Sequence, residues 1–110
     1  MTNYIENDQK ILDLGCGNGR LLNILQNKKI EYIGIDNSEK LLIQAQQQYP
    51  DFREKFLKAD ALNLPFIDDE FDRIISIAVL QHIPSKAYRI KFLEEAFRTL
   101  KKEGKLVLTV

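Results

Sequence analysis

The fold class this sequence predicts is α/β, a doubly wound and mostly parallel sheet, and three observations predict it. Apolar and amphipathic segments alternate along the chain as strand, helix, strand, helix, strand, strand, helix, strand. Runs 74–80 and 106–110 are almost continuously apolar, as strands are when helices cover both of their faces. A loop with glycine at every second position, Gly15, Gly17 and Gly19, joins the first strand to the first helix. Right-handed crossovers then give an open sheet in spatial order 3-2-1-4-5, with helices on both faces and a ligand crevice between the first and fourth strands.

The first strand is the buried pattern Ile11-Leu12-Asp13-Leu14, and the segment 20–28 after the loop places Leu21, Leu22 and Leu25 on one helical face. Glycine lets the backbone turn sharply and approach a ligand where a Cβ would clash. The turn aims free N–H groups above the strand, which makes a seat for an anion or a carboxylate. A second strand, 31–35, ends at Asp36; Asn37 and Ser38 form the N-cap of an amphipathic helix running through Gln48. Asp36 lies roughly 20 residues past the glycine loop, where nucleotide-binding folds place an acceptor for ribose hydroxyls. Its charge disfavours NADP, whose ribose phosphate it would repel.

A third strand, 55–59, delivers Asp60, Ala61 and Leu62. Residues 64–66 and 68–72 lead into a fourth strand, 73–78. Asp68, Asp69 and Glu70 have neither a liganding histidine nor a calcium-loop spacing beside them, so they read as a solvated turn and no metal site is expected. The helix 85–100 would turn Ile90, Phe92, Leu93, Ala96, Phe97 and Leu100 inward; Arg89, Lys91, Arg98, Lys101 and Lys102, which mostly fall on it, would make a wet face or a local basic patch. A turn at 102–104 then precedes the fifth strand, 105–110.

The glycine spacing is G-x-G-x-G preceded by the acid Asp13, distinct from the dinucleotide pattern G-x-G-x-x-G. It is followed, in order, by "ADALNLPF" at 59–66, "DDEFDRIIS" at 68–76 and "VLQHIP" at 79–84. With these residues the sequence resembles the class I S-adenosylmethionine-dependent methyltransferases, whose first motif is D/E-x-G-x-G-x-G. The resemblance implies a Rossmann-like fold and S-adenosyl-L-methionine as cofactor, with S-adenosyl-L-homocysteine as product. It implies a cofactor site built from Asp13, Gly15, Cys16, Gly17, Gly19, Asp36, Asn37, Asp60, Ala61 and Ala78. Asp60 would accept from the adenine amino group while the backbone at Ala61 reads the ring edge.

Residues 76–85 and Arg89 carry a narrower likeness, to the branch of tRNA wobble-uridine carboxymethyl methyltransferases and their bacterial relatives. Gln81 stands where that branch has the first histidine of a pair, and Tyr88 where it has the first of two arginines. The implied acceptor is tRNA or a small molecule. His82, the only histidine, reads equally as a base at the acceptor or as a helix-terminal packing residue.

Lys plus Arg and Asp plus Glu both number 16 in a chain of 110 residues, so no global field gathers nucleic acid. The single cysteine, Cys16, excludes an internal disulfide and fits a reducing cytoplasm. No run approaches the roughly 20 apolar residues of a membrane helix, and residues 2–4 lack a signal-peptide core. One domain over 1–110 is expected, incomplete at its C-terminus because the family continues with two further strands; the fifth strand would then expose an edge that invites self-association. Three alternatives stay open: a module that binds the cofactor without turnover, an NAD or nucleotide-sugar enzyme, and a purely structural fragment.

Overall fold

A computed structural model describes residues 5–109; the readings made on residues 2–4 and on Val110 lie outside them. Five strands, β1 (Lys10–Leu14), β2 (Glu31–Asp36), β3 (Phe56–Lys58), β4 (Phe71–Ile77) and β5 (Leu100–Thr109), pair in parallel. Their order is β3-β2-β1-β4-β5, as the sequence predicts. The helices are α1 (Leu22–Leu25), α2 (Glu39–Gln48) and α3 (Lys86–Thr99). Side-chain alternation along β1 decides which helix covers which face. Leu12 and Leu14 join Phe92 and Ala96 of α3 in one cluster, whereas Ile11 joins Leu21 and Leu25 beside α1 on the other face. Leu42 and Ala45 of α2 pack with Tyr32, Phe56 and Cys16. Each fully buried Leu, Ile or Phe of these clusters contributes roughly 1.5–3 kcal/mol, which is what closes the sheet between its layers.

α2 begins where its predicted cap stands, and Ser85, read as the first residue of the last helix, caps α3 instead. The Ser38 hydroxyl accepts from the Leu41 N–H at 3.3 Å and that of Ser85 from the Tyr88 N–H at 3.4 Å. The first helix is shorter than expected. Within 20–28 only Leu22–Leu25 is α-helical, because the bonds Leu22 N–H to Gly19, Asn23 N–H to Arg20 and Lys28 N–H to Leu25 reach back three residues. The segment is a chain of tight turns that still buries Leu21, Leu22 and Leu25.

Three further expectations are corrected. The residues 102–104 do not form a turn: β5 starts at Leu100, opposite Phe71, and the register then jumps so that Arg73 faces Lys105. The polar run marks a bulge. An added Cβ at Gly104 would come within 2.6 Å of Leu100 Cδ1 and 3.0 Å of the Asp72 carbonyl, so glycine is needed for that close approach. On α3 the buried stripe is Phe92, Glu95, Ala96 and Thr99, spaced three and four apart, which leaves Ile90 and Phe97 on the opposite face, 49% and 61% exposed. Polar residues at 95 and 99 disguise the stripe in the sequence. Nor is Arg98 a solvated charge, as its contacts below show.

Ser76 in β4 is buried, and its Oγ has no hydrogen-bond partner among the described residues. An unsatisfied buried hydroxyl costs about 1–3 kcal/mol. Ser76→Ala is therefore expected to raise the melting temperature by several degrees in a thermal unfolding scan; a fall would show that the hydroxyl is satisfied in solution. Among the described residues no helix is long and apolar enough to cross a membrane.

Candidate functional site

The carboxyl ends of β1, β2 and β3, with the segment after β4, surround a cavity of about 270 Å³ lined by Gly15, Ile35, Asp36, Asn37, Ala59, Asp60, Ala61, Leu62, Val79 and Ile83. The glycine loop forms one wall, and backbone bonding to β2 fixes it. The N–H groups of Gly15 and Cys16 both donate to the Ile35 carbonyl, at 2.9 and 2.8 Å. Gly15, Gly17 and Gly19 have φ of 81°, 56° and 86°, the left-handed region that favours glycine. Gly15 serves packing as well: a Cβ there would run into Val79 Cγ2. At Gly17 an added Cβ meets nothing within 4 Å, so open space lies against the loop at that point.

Asp36 connects the loop to the next helix. Its Oδ2 accepts from the Gly17 N–H at 2.8 Å and its Oδ1 from the Ser38 N–H at 2.9 Å. A carboxylate offers about four lone-pair sites, so each oxygen keeps capacity for a ligand hydroxyl. The Asp60 Oδ1 accepts from the Leu62 N–H at 2.8 Å in a tight turn at the exposed mouth, which leaves its second oxygen available. Between the two acids, Ile35, Leu62, Val79 and Ile83 present apolar surface. The arrangement suits a flat heterocycle between aliphatic walls, with a diol at Asp36 and a polar group at Asp60.

The structure thus brings Gly15, Asp36, Asn37, Asp60 and Ala61 to one cavity and leaves open space beside Gly17, and it places Asp13, Cys16, Gly19 and Ala78 elsewhere. Asp13 and Cys16 are each 2% exposed and face the α2 layer beneath the loop. Gly34, opposite Asp13 in the register, leaves the room through which the Tyr32 hydroxyl donates to Asp13 Oδ2 at 2.6 Å; a Cβ at 34 would meet that hydroxyl. Burial pushes the Asp13 carboxyl up to about 7, against the lowering pull of the Tyr32 hydrogen bond and of Arg20. Gly19 turns toward the rings of Tyr49 and Phe56, 3.2 Å from where its Cβ would stand, so its absent side chain serves the core.

Ala78 follows β4 at φ 55°, rare for a residue with a Cβ. Its N–H donates to the carbonyl and the Oγ1 of Thr109, and the resulting turn carries Val79 back toward Gly15. His82 is exposed at the end of the short 3₁₀ segment Leu80–His82, its Nε2 3.4 Å from the Gln81 amide nitrogen, and it does not line the cavity. Sequence reasoning missed the apolar wall of Val79 and Ile83; its signal was the apolar run continuing past the strand. Of the acids at 68–70, Asp68 pairs with Arg98 and Glu70 with Lys10, both at 2.9 Å. Among the described residues no cluster of His, Cys, Asp and Glu suits a metal ion.

A glycine-turn wall at the carboxyl ends of parallel strands, an acid closing the second strand and an apolar slot beside it are the arrangement that nucleotide-binding α/β domains share. The match of residues 12–108 to the methyltransferase domain family places the chain among the class I S-adenosylmethionine-dependent methyltransferases. Over 100 residues it is 40% identical to a tRNA (carboxymethyluridine(34)-5-O)-methyltransferase of Arabidopsis thaliana, covering 91% of this chain and 23% of that protein. A solved protein of Pyrococcus horikoshii superposes with a TM-score of 0.87 at 31% identity, covering 97% of this chain and 51% of the other. A Haloferax volcanii methyltransferase solved in complex with the Trm112 methyltransferase activator gives 0.82 at 31% identity, with coverage of 94% and 46%. The chain therefore spans less than a quarter of the plant relative and about half of each archaeal protein.

Proposed function

We propose that this chain binds S-adenosylmethionine in the cavity beside Asp36 and presents its methyl group to a carboxylate oxygen on a modified tRNA wobble uridine. The observation that carries the cofactor reading is Asp36, held by the Gly17 and Ser38 N–H groups between the glycine loop and the apolar slot. In that position it would accept from the ribose hydroxyls. Asp60 and the backbone at Ala61 would hold the adenine edge, and Ile35, Leu62, Val79 and Ile83 would enclose its faces. The open backbone at Gly17 would receive the amino-acid end.

The bound cofactor supplies an already electrophilic sulfonium methyl. What remains for the protein is to hold donor and acceptor in line and to keep them from drifting apart. A carboxylate acceptor has no proton to lose, so transfer to it requires no general base. The tRNA reading is supported by the 40% identity to the carboxymethyluridine enzyme; a small-molecule acceptor would use the same cofactor site.

Titration calorimetry is expected to show S-adenosylhomocysteine binding in preference to NAD, and equal or tighter binding of NAD would overturn the cofactor reading. Replacing Asp36 by asparagine removes a charge-assisted bond of about 1.5–3 kcal/mol and should weaken the affinity roughly ten- to a hundredfold. The amide oxygen can still accept one of the two backbone N–H groups, so a cost to folding accompanies the loss. A variant that melts lower but binds as tightly as the unmodified protein would make Asp36 purely structural.

A further inference from the structure

The segment between β3 and β4 carries Ala59, Asp60, Ala61 and Leu62 of the cavity wall, yet from 59 to 70 it contains neither strand nor helix. Backbone bonds pin its two ends, Ala59 N–H to the Asp36 carbonyl and the Asp69 and Glu70 N–H groups to the Arg98 and Thr99 carbonyls, while the middle, 64–66, is held by side chains of two α3 residues. Glu95 Oε1 accepts from the Leu64 N–H at 2.7 Å, and Arg98 Nη2 donates to the Leu64 carbonyl at 3.1 Å. The backbone of one residue is thus gripped at both of its polar groups. Arg98 Nη1 donates to the Phe66 carbonyl at 2.8 Å and to Asp68 Oδ1 at 2.9 Å, while its Nε donates to Glu95 Oε2 at 2.7 Å. The planar guanidinium fork is what allows one side chain to reach four acceptor groups at once.

Glu95 is 6% exposed, and the Arg98 hydrogen bond holds its carboxyl below the usual glutamate range. A carboxylate this buried is retained only with its partner in place. Neither residue lines the cavity, and the gripped Leu64 lies two positions from Leu62, which does.

We propose that Glu95 and Arg98 are positioning residues that set the affinity for the nucleoside end of the cofactor, from outside the cavity, by fixing the 60–66 segment. The inference rests on the reading that the cavity takes an S-adenosyl ligand. The pair joins the last turns of α3 to the wall that would read the adenine, so a change in this clamp would be felt at the ring rather than at the glycine loop.

Arg98→Lys keeps a cation beside Glu95 but cannot span the Leu64 and Phe66 carbonyls together; Glu95→Gln keeps an acceptor for the Leu64 N–H and loses the ion pair. In both variants, hydrogen exchange of the Leu64 and Phe66 amides without ligand is expected to quicken at least tenfold. Affinity should fall about tenfold for S-adenosylhomocysteine and by the same factor for methylthioadenosine, which carries only the nucleoside end. Ile75→Val, a core change on the opposite face of the sheet, provides a variant of lowered stability and should leave both affinities unchanged. Unmodified affinities in the two clamp variants, or a loss of equal size in Ile75→Val, would overturn the proposal. No binding of S-adenosylhomocysteine to the unmodified protein would instead overturn the reading of the cavity, and the exchange data would still show whether the clamp fixes the segment.

Discussion

Gly17→Val is expected to abolish S-adenosylhomocysteine binding in a protein that remains folded. The two halves of that result have separate origins. Folding survives because an added Cβ meets no atom within 4 Å, so the core is untouched. What it costs is backbone strain: a β-branched residue at φ 56° resists the left-handed region, at about 1–3 kcal/mol. That lowers the melting temperature by roughly 4–8 °C for each kcal/mol. Binding is lost because, on the proposed reading, the same open space is where the amino-acid end of the cofactor approaches the backbone. Gly15→Ala makes the contrast, since even one methyl there collides with Val79 and should damage fold and binding together. Calorimetry and thermal melting on one Gly17→Val sample decide the matter; intact affinity would remove Gly17 from the site.

A strong pH dependence of stability is the second large effect, and its source is Asp13. Burial is the chief reason its carboxyl rises to about 7 from an ordinary 3.8, with Asp36 adding to the rise and the Tyr32 hydroxyl and Arg20 opposing it. The same burial, with the Asp13 charge, keeps the Tyr32 phenol protonated and donating. Between about pH 4 and pH 7 the native state therefore holds a proton that the unfolded chain has released. Stability falls as pH rises through that window and levels off above it. Three pH units correspond to about 4 kcal/mol.

In Asp13→Asn this slope disappears. Urea melts at pH 4 and pH 8 are thus expected to show the variant gaining on the unmodified protein by several kcal/mol across the range. Glu95 and Asp72, whose carboxyls are held low by their partners, destabilise both proteins alike on acidification and cancel in the difference. A stability difference that stayed constant with pH would mean that Asp13 is ionised throughout.

Much of this architecture was legible in the sequence because its signals are local. A glycine that needs positive φ, a serine that caps a helix and an apolar strand between turn residues each declare themselves within a few positions. So the strand order, the Ser38 cap and the meeting of Gly15 and Asp36 at one crevice could be read directly, with Asp60 added by the family resemblance. What escaped depends on distant partners. Nothing near Gly19 says that Tyr49 and Phe56 fill the space beside it, and nothing near Asp13 says that Gly34 opens a path for the Tyr32 hydroxyl. Arg98 reads as one more surface cation until the strandless segment before β4 is seen wrapped around it.

The central place of β1 also has a consequence for how the protein is made. Synthesis delivers β1, β2 and β3 first, and these can pair as they emerge, but the other edge of β1 waits for Arg73, Ile74 and Ile75. Until β4 leaves the ribosome, the nascent chain carries a half-built sheet with an open, apolar middle strand, a ready template for wrong pairing. The glycine loop is by then already translated, yet Val79, which packs against it, and Ile83, which closes the slot, are not. The cavity beside the loop is therefore completed late, and a pause in translation just before β4 would expose the chain to misassembly at the very strand that carries the glycine loop.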